Sequence, residues 1–151
     1  MTTISELQQR IGEINAANGW RTTNEAELDQ KARVNAQITR LALITTEVAE
    51  AIEEIRNGRR ADERYYTISG ITVVPYAAGW AFDVGGGVPN PEVTYSEGVV
   101  AKPEGVPSEL ADVVIRALDA AGAWGIDLET VIEEKLAYNV TRGHRHGGKA
   151  A

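Results

Sequence analysis

The chain opens with a helical repeat. Leu7, Ile11 and Ile14 recur at the three- and four-residue spacing of a buried helix face. Thr3 and Glu6 ahead of them form a capping-box pattern, and Asn18-Gly19 closes the element. Asn24-Glu25-Ala26-Glu27 is a second such box, and neither Gly nor Pro follows it until Gly58. That predicts one long helix, with a break or kink near 33–37. Leu41, Ile44, Val48, Ile52 and Ile55 mark its apolar face.

After Gly58 the period changes. Residues 59–64 are a charged linker, and 65–74 are β-branched and aromatic with partial alternation, which predicts a strand. Residues 80–84 and 93–95 read as two further short strands, with Gly85-Gly86-Gly87 and Pro89-Asn90-Pro91 as turns. The triple glycine lacks the Lys-Ser/Thr end and following helix of a phosphate loop. Pro107 and Ser108 then suit a helix start. That third helix has Leu110, Val114, Ala117, Leu118 and Ala121 on its apolar face and ends at Gly122 and Gly125. Asp127 caps a fourth, whose face is Leu128, Val131, Ile132 and Leu136.

The expected architecture is therefore mainly α. It is a four-helix bundle, formed across a dimer, with a small β-hairpin or meander inserted around 65–100. At 151 residues the chain reads as one domain. Residues 59–102 are its β-rich insertion, and 143–151 a flexible basic tail.

Charge narrows the chemistry. A net charge of −7 lacks the basic footprint of a nucleic-acid binder. It leaves room for a nucleotide whose phosphates are met by metal ions. The chain has no cysteine, so thiol chemistry is absent. Its two histidines, His144 and His146, are too few for a zinc site without cysteine partners. No apolar run approaches the ~18 residues of a membrane span, and no secretory signal is visible at the N-terminus. The expectation is a cytoplasmic protein without membrane or nucleic-acid partners.

The acids stand out by position. Glu47, Glu50 and Glu54 share one face of the long helix, within about 60° of each other. Like charges at this spacing cost roughly 0.2–0.5 kcal/mol per pair, so they face water or a cation. Glu109 and Asp112 repeat the pattern at the start of the third helix, on a stripe where Arg116 could neutralise Asp112 and Asp119. Taken singly, each pair is most simply a solvated face. Two helices that each offer a carboxylate pair can also converge on hard divalent cations such as Mg²⁺. Lys135, Asn139 and Arg142, at i, i+4 and i+7, form a row suited to phosphate or sugar, or again a solvated face. Trp20 reads first as a packing or interface anchor.

Glu47-x-x-Glu50 followed by Glu109-x-x-Asp112 resembles the metal-binding signature of the MazG-like, all-α nucleoside triphosphate pyrophosphohydrolases. The segments 41–51 and 107–116, and the ending Lys135-x-x-x-Asn139-x-x-Arg142, are similar to that family too. One departure is plain: 58 residues separate Glu50 from Glu109, where the family has a short connection.

The resemblance implies Mg²⁺-dependent hydrolysis of (deoxy)nucleoside triphosphates to monophosphate and pyrophosphate, with Mn²⁺ as an alternative ion. It implies metal binding by Glu47, Glu50, Glu109 and Asp112, with Glu54 as an extra ligand. Glu50 or Glu47 would also orient the attacking water. Lys135, Asn139 and Arg142 would meet triphosphate and sugar, and Trp20 would stack on a base. It also implies a homodimer or homotetramer, consistent with amphipathic helices that carry small residues such as Ala49, Ala51, Ala117, Ala120 and Ala121. Two readings compete with it: another phosphoanhydride substrate such as phosphoribosyl-ATP, and a non-catalytic helical dimerisation or binding module.

Overall fold

Asp29, not Asn24, starts the long helix. Its Oδ1 accepts from the Ala32 N–H at 2.9 Å. The computed structural model describes residues 2–20, 24–77, 79–96 and 98–142. The predicted basic tail, with both histidines, lies outside them. Among the described residues there are four α-helices: α1 (Ile4–Ala17), α2 (Gln30–Arg56), α3 (Val106–Ala123) and α4 (Leu128–Thr141). There are also five strands: β1 (Tyr65–Ile68), β2 (Ile71–Tyr76), β3 (Gly79–Asp83), β4 (Pro89–Tyr95) and β5 (Lys102–Glu104). No helix among these residues is long and apolar enough to cross a membrane.

The expectation of a four-helix bundle with a small hairpin is corrected here. The strands form one antiparallel five-stranded sheet in the order β4-β3-β2-β1-β5. Prolines hid its extent. Pro89 and Pro91 lie in β4 and Pro103 in β5, the two edge strands, where a missing N–H is tolerated. Pro75 is in β2, but β2 pairs with β1 only through 71–73, so at Pro75 β3 alone remains as partner. The single strand expected over 65–74 is in fact a hairpin. Ser69 and Gly70 both have positive φ between the paired Ile68 and Ile71, the two-residue turn that suits the twist of antiparallel strands.

The chain folds into two compact units, Met1–Ala42 with Val114–Ala151, and Leu43–Val113. In the first, the α1 capping box is formed as expected, with Thr3 and Glu6 exchanging hydrogen bonds. The second box instead caps a short 3-10 turn, Glu25–Glu27. The Arg33 guanidinium ties that turn to α2 by donating to the carbonyls of Glu25, Ala26 and Leu28. The break in the long helix therefore falls before Gln30, and α2 is continuous through 33–37. Arg40 forms ion pairs with both Glu25 and Asp119. Asn15 Nδ2 donates to Asp119 Oδ1 at 2.7 Å, and Trp124 Nε1 to Glu25 Oε2 at 3.1 Å. This half-buried network joins α1, the 3-10 turn, α2 and α3. Its hydrogen bond from Arg40 holds the Glu25 carboxyl below the usual range, against the opposing effect of burial.

In the second unit α2 stops at Asn57-Gly58. Gly58 takes φ +86°, and the Arg59 N–H reaches back to the Glu54 carbonyl at 3.1 Å. This left-handed cap turns the chain toward β1. The apolar face expected to be buried is another correction. Val48 is 41% and Ile52 54% exposed, and Leu41 and Ile55 are exposed as well. The buried residues of α2 are Glu47 and Ala51. The helix thus buries part of its acid-bearing side and leaves its apolar stripe to solvent in the single chain. On α3 the expectation holds for Leu118 and Ala121, whereas Leu110 and Val114 are exposed.

Candidate metal centre

Helical spacing stacks Glu47 above Glu50 on α2, and the first turns of α3 carry Glu109. Gly105 sets the start of α3. Its φ is +94°, and a Cβ there would lie 2.5 Å from the Glu63 carbonyl oxygen. The Gly105 carbonyl then accepts from the N–H groups of Ser108 and Glu109 at 2.8 and 3.2 Å. A chain that must pass this close to Glu63 has room only for glycine, and the turn delivers Glu109 to the carboxylates of α2.

Glu47, Glu50 and Glu109 each offer one carboxylate oxygen, and these lie within 4.8 Å of one another. Glu47 is only 6% and Glu109 7% exposed, whereas Glu50 is open to solvent. An Mg²⁺ octahedron with bonds of about 2.1 Å puts adjacent ligand oxygens about 3 Å apart and opposite ones about 4.2 Å apart. The oxygens would have to draw together to hold such an ion, and Glu50, the exposed member, stands on the side where water or a phosphate oxygen would enter. Burial pushes the Glu109 carboxyl above its usual range, and the charges of Glu50 and Asp112 push it further. Carboxylates gathered in this way favour a cation, which offsets both burial and mutual repulsion.

Asp112 and Glu54 stand outside the three-oxygen group. Asp112 is half-buried, one turn along α3, and acts on Glu109 through its charge. Glu54 Oε1 accepts from the Tyr65 hydroxyl at 3.2 Å, and its Oε2 is buried without a hydrogen-bond partner among the described residues. Lys135 and Asn139 are exposed on α4, and Arg142 caps its C-terminal end; all three belong to the other unit. The Lys135 ammonium and the Arg142 guanidinium lie 5.4 and 6.0 Å from the Tyr138 ring centre. Trp20, expected first as a packing anchor, is 68% exposed just beyond α1.

The sheet brings residues to the acids that the sequence did not single out. Tyr65 opposes Glu104, and Thr67 opposes Lys102, so all four share one face of the β1–β5 pair. Thr67 Oγ1 donates to Glu104 Oε1 at 3.1 Å, and Lys102 Nζ lies 2.8 Å from Glu104 Oε2. The Arg59 guanidinium rests 4.1 Å over the Tyr65 ring and pairs with Glu63. The alternation of Lys102 and Glu104 about Pro103 was the available signal, but three residues before a helix do not announce a strand.

Compared with protein-family models, curated proteins and solved structures, the chain matches none.

Proposed function

We propose that the chain is a Mg²⁺-dependent nucleoside triphosphate pyrophosphohydrolase of MazG-like type. The observation that carries the reading is the convergence of Glu47 and Glu50 from α2 with Glu109 from α3, two of the three nine-tenths buried. Glu47, Glu50 and Glu109 would hold the ion, and Asp112, whose charge acts on Glu109, and Glu54, one turn beyond Glu50, are the further ligands proposed. Bound Mg²⁺ supplies charge neutralisation at the phosphates and polarisation of water. The exposed Glu50 carboxylate accepts a proton from the attacking water. Water attacks the α-phosphorus, the α–β anhydride bond breaks, and pyrophosphate leaves with the bonding electron pair. Such a reaction asks the protein for positioning and electrostatics, not for covalent chemistry. Lys135, Asn139 and Arg142, which the resemblance would assign to triphosphate and sugar, belong to the other compact unit and are not counted in this carboxylate group. Trp20, being exposed, is free to stack on a base. A cytoplasmic setting belongs to the same proposal.

The exposed stripe of Val48, Ile52 and Ile55 on α2, with Leu110 and Val114 on α3, supports a homo-oligomer. The same stripe also favours the second reading, a helical dimerisation module without catalysis.

The test is pyrophosphate release from a panel of NTPs, dNTPs and phosphoribosyl-ATP, with Mg²⁺, with Mn²⁺ and with EDTA, for the wild type and Glu50→Gln. Metal-dependent release lost in the variant supports the reading, and the panel names the substrate. A folded protein that releases pyrophosphate from none of them favours the dimerisation module instead.

A further inference from the structure

The five-stranded sheet stands where a pyrophosphohydrolase of this type has a short connection, and its β1–β5 edge adjoins the carboxylates. Tyr65 on β1 reaches Glu54, one turn beyond Glu50 on α2. The face of β1 and β5 that carries Tyr65 therefore meets the acid side of α2. Lys102 sits on that face, opposite Thr67. From Lys102 the chain runs through Pro103 and Glu104, turns at Gly105 and enters α3, where Glu109 is seven residues on. The Ser108 hydroxyl closes this turn by donating to the Pro103 carbonyl at 3.0 Å.

A triphosphate approaching three to five carboxylates needs cations besides the metal. The unit's described cations are Arg56, Arg59, Arg60, Arg64 and Lys102. Arg56, Arg59 and Arg60 pair with Glu53, Glu63 and Asp62. The Arg64 guanidinium lies 5.5 Å over the Tyr66 ring, on the opposite face of β1. Two of these cations lie on the acid-facing side of the sheet: Arg59, which rests over the Tyr65 ring and is paired with Glu63, and Lys102, on which the charges of Glu109 and Glu50 both act. Its ammonium is held by Glu104, with the Lys102 side chain 70% exposed. The Glu104 side chain is 18% exposed, so a phosphate that takes the ammonium must offset the loss of this partner, while the exposed Lys102 is free to swing. Glu104 meanwhile keeps its bond from Thr67 and stays in place.

We propose that Lys102 binds the polyphosphate of the metal-bound nucleotide, so that the inserted sheet supplies a substrate-binding side to the carboxylate centre. The role rests on the pyrophosphohydrolase reading. It would make β5 a binding element and Glu104 the residue that parks Lys102 between turnovers.

The test uses full-length protein and calorimetric titration with the α,β-methylene analogues of the common NTPs and dNTPs in Mg²⁺. Mn²⁺ binding without nucleotide is followed separately by electron paramagnetic resonance. Lys102→Gln is expected to weaken analogue binding about 10-fold or more, the loss of one charge-assisted contact. Its Mn²⁺ affinity should stay within about twofold of wild type, because no ligand is removed. Lys102→Arg is expected to restore most of the binding. Arg64→Gln, which removes the same charge from the other face, should leave it close to wild type. If Lys102→Gln binds like wild type, or Arg64→Gln is weakened equally, the assignment of Lys102 is overturned and the pyrophosphohydrolase reading stands. If the wild type binds Mn²⁺ but none of the analogues, both fall together.

Discussion

Tyr65 and Glu54 are joined by a hydrogen bond of 3.2 Å from the tyrosine hydroxyl to Oε1, while Glu54 Oε2 is buried without a hydrogen-bond partner among the described residues. One bond thus attaches β1 to the acid-bearing side of α2. Burial and the Glu54 charge both raise the Tyr65 hydroxyl above its ordinary range, so it remains a donor at neutral pH. Tyr65→Phe leaves both Glu54 oxygens without this donor. The expected loss is about 1–2 kcal/mol in urea denaturation. Adding Glu54→Gln should recover part of it, because the uncompensated charge is then gone. Full additivity of the two substitutions would show that they do not interact.

Glu109 is buried, and the charges of Glu50 and Asp112 act against its own. Glu109→Gln is therefore expected to be neutral or slightly stabilising without metal, by up to about 1 kcal/mol. With Mg²⁺ bound as proposed, the order is expected to reverse. Wild type at 100 times its dissociation constant would gain about 2.7 kcal/mol, and the variant little. Thermal denaturation with Mg²⁺ and with EDTA reads both arms. An identical Mg²⁺ shift in the two proteins would remove Glu109 from the site.

Arg40 serves two carboxylates at once, Glu25 and Asp119. Arg40→Ala is expected to cost about 2–3 kcal/mol, between the values for exposed and buried pairs. The pH dependence follows from Glu25, whose folded pKa lies below its ordinary 4.5. Its contribution is present above about pH 4.5 and disappears as the pH falls through the depressed folded value. Denaturation between pH 7 and pH 3 should show that acid-side loss in the wild type and a flatter profile in Arg40→Ala.

Gly105 and Gly86 both have positive φ, but only at Gly105 does a Cβ meet backbone, 2.5 Å from the Glu63 carbonyl oxygen. Gly105→Ala is expected to cost about 2–4 kcal/mol, as conformational strain adds to the clash. Gly86→Ala, with open space around it, should cost about 1 kcal/mol. Because Gly105 aims Glu109, its variant should also weaken Mn²⁺ binding. Equal costs at the two sites would mean that the backbone relaxes away from Glu63.

Val48, Ile52 and Ile55 form an exposed apolar row on α2. Ile52→Glu is expected to shift the protein from oligomer to monomer in light scattering at micromolar concentration. Its helix content should be unchanged, since Ile52 is 54% exposed in the single chain. A wild type already monomeric at high concentration would contradict the oligomer.

Most helix ends were legible because capping is local, the exception being the start of α2, where the box at Asn24 caps a 3-10 turn instead. Thr3, Gly19, Gly58 and Asp127 act on backbone groups within a few residues, so their neighbours in the chain already contain the partner. The pairing of Glu47 with Glu50 was legible for the same reason, since helical geometry alone puts them on one face. The sheet was only half legible. Edge strands tolerate proline, so Pro89 and Pro91 read as a turn, and Pro103 as part of the lead into the third helix, until β3 and β1 are seen beside them. Hydrophobic spacing found the apolar stripe of α2 but could not say what would cover it. Periodicity reports a face and not its occupant, and the Tyr65 bond from the sheet meets the helix on its acid side. The approach of Glu109 to Glu47 and Glu50, and the placement of Lys102 beside them, depend on strand pairing and on the Gly105 turn across dozens of residues. Sequence alone therefore determined which residues could bind a cation. The tertiary structure decided which of them meet, because only long-range packing brings carboxylates together against their own repulsion.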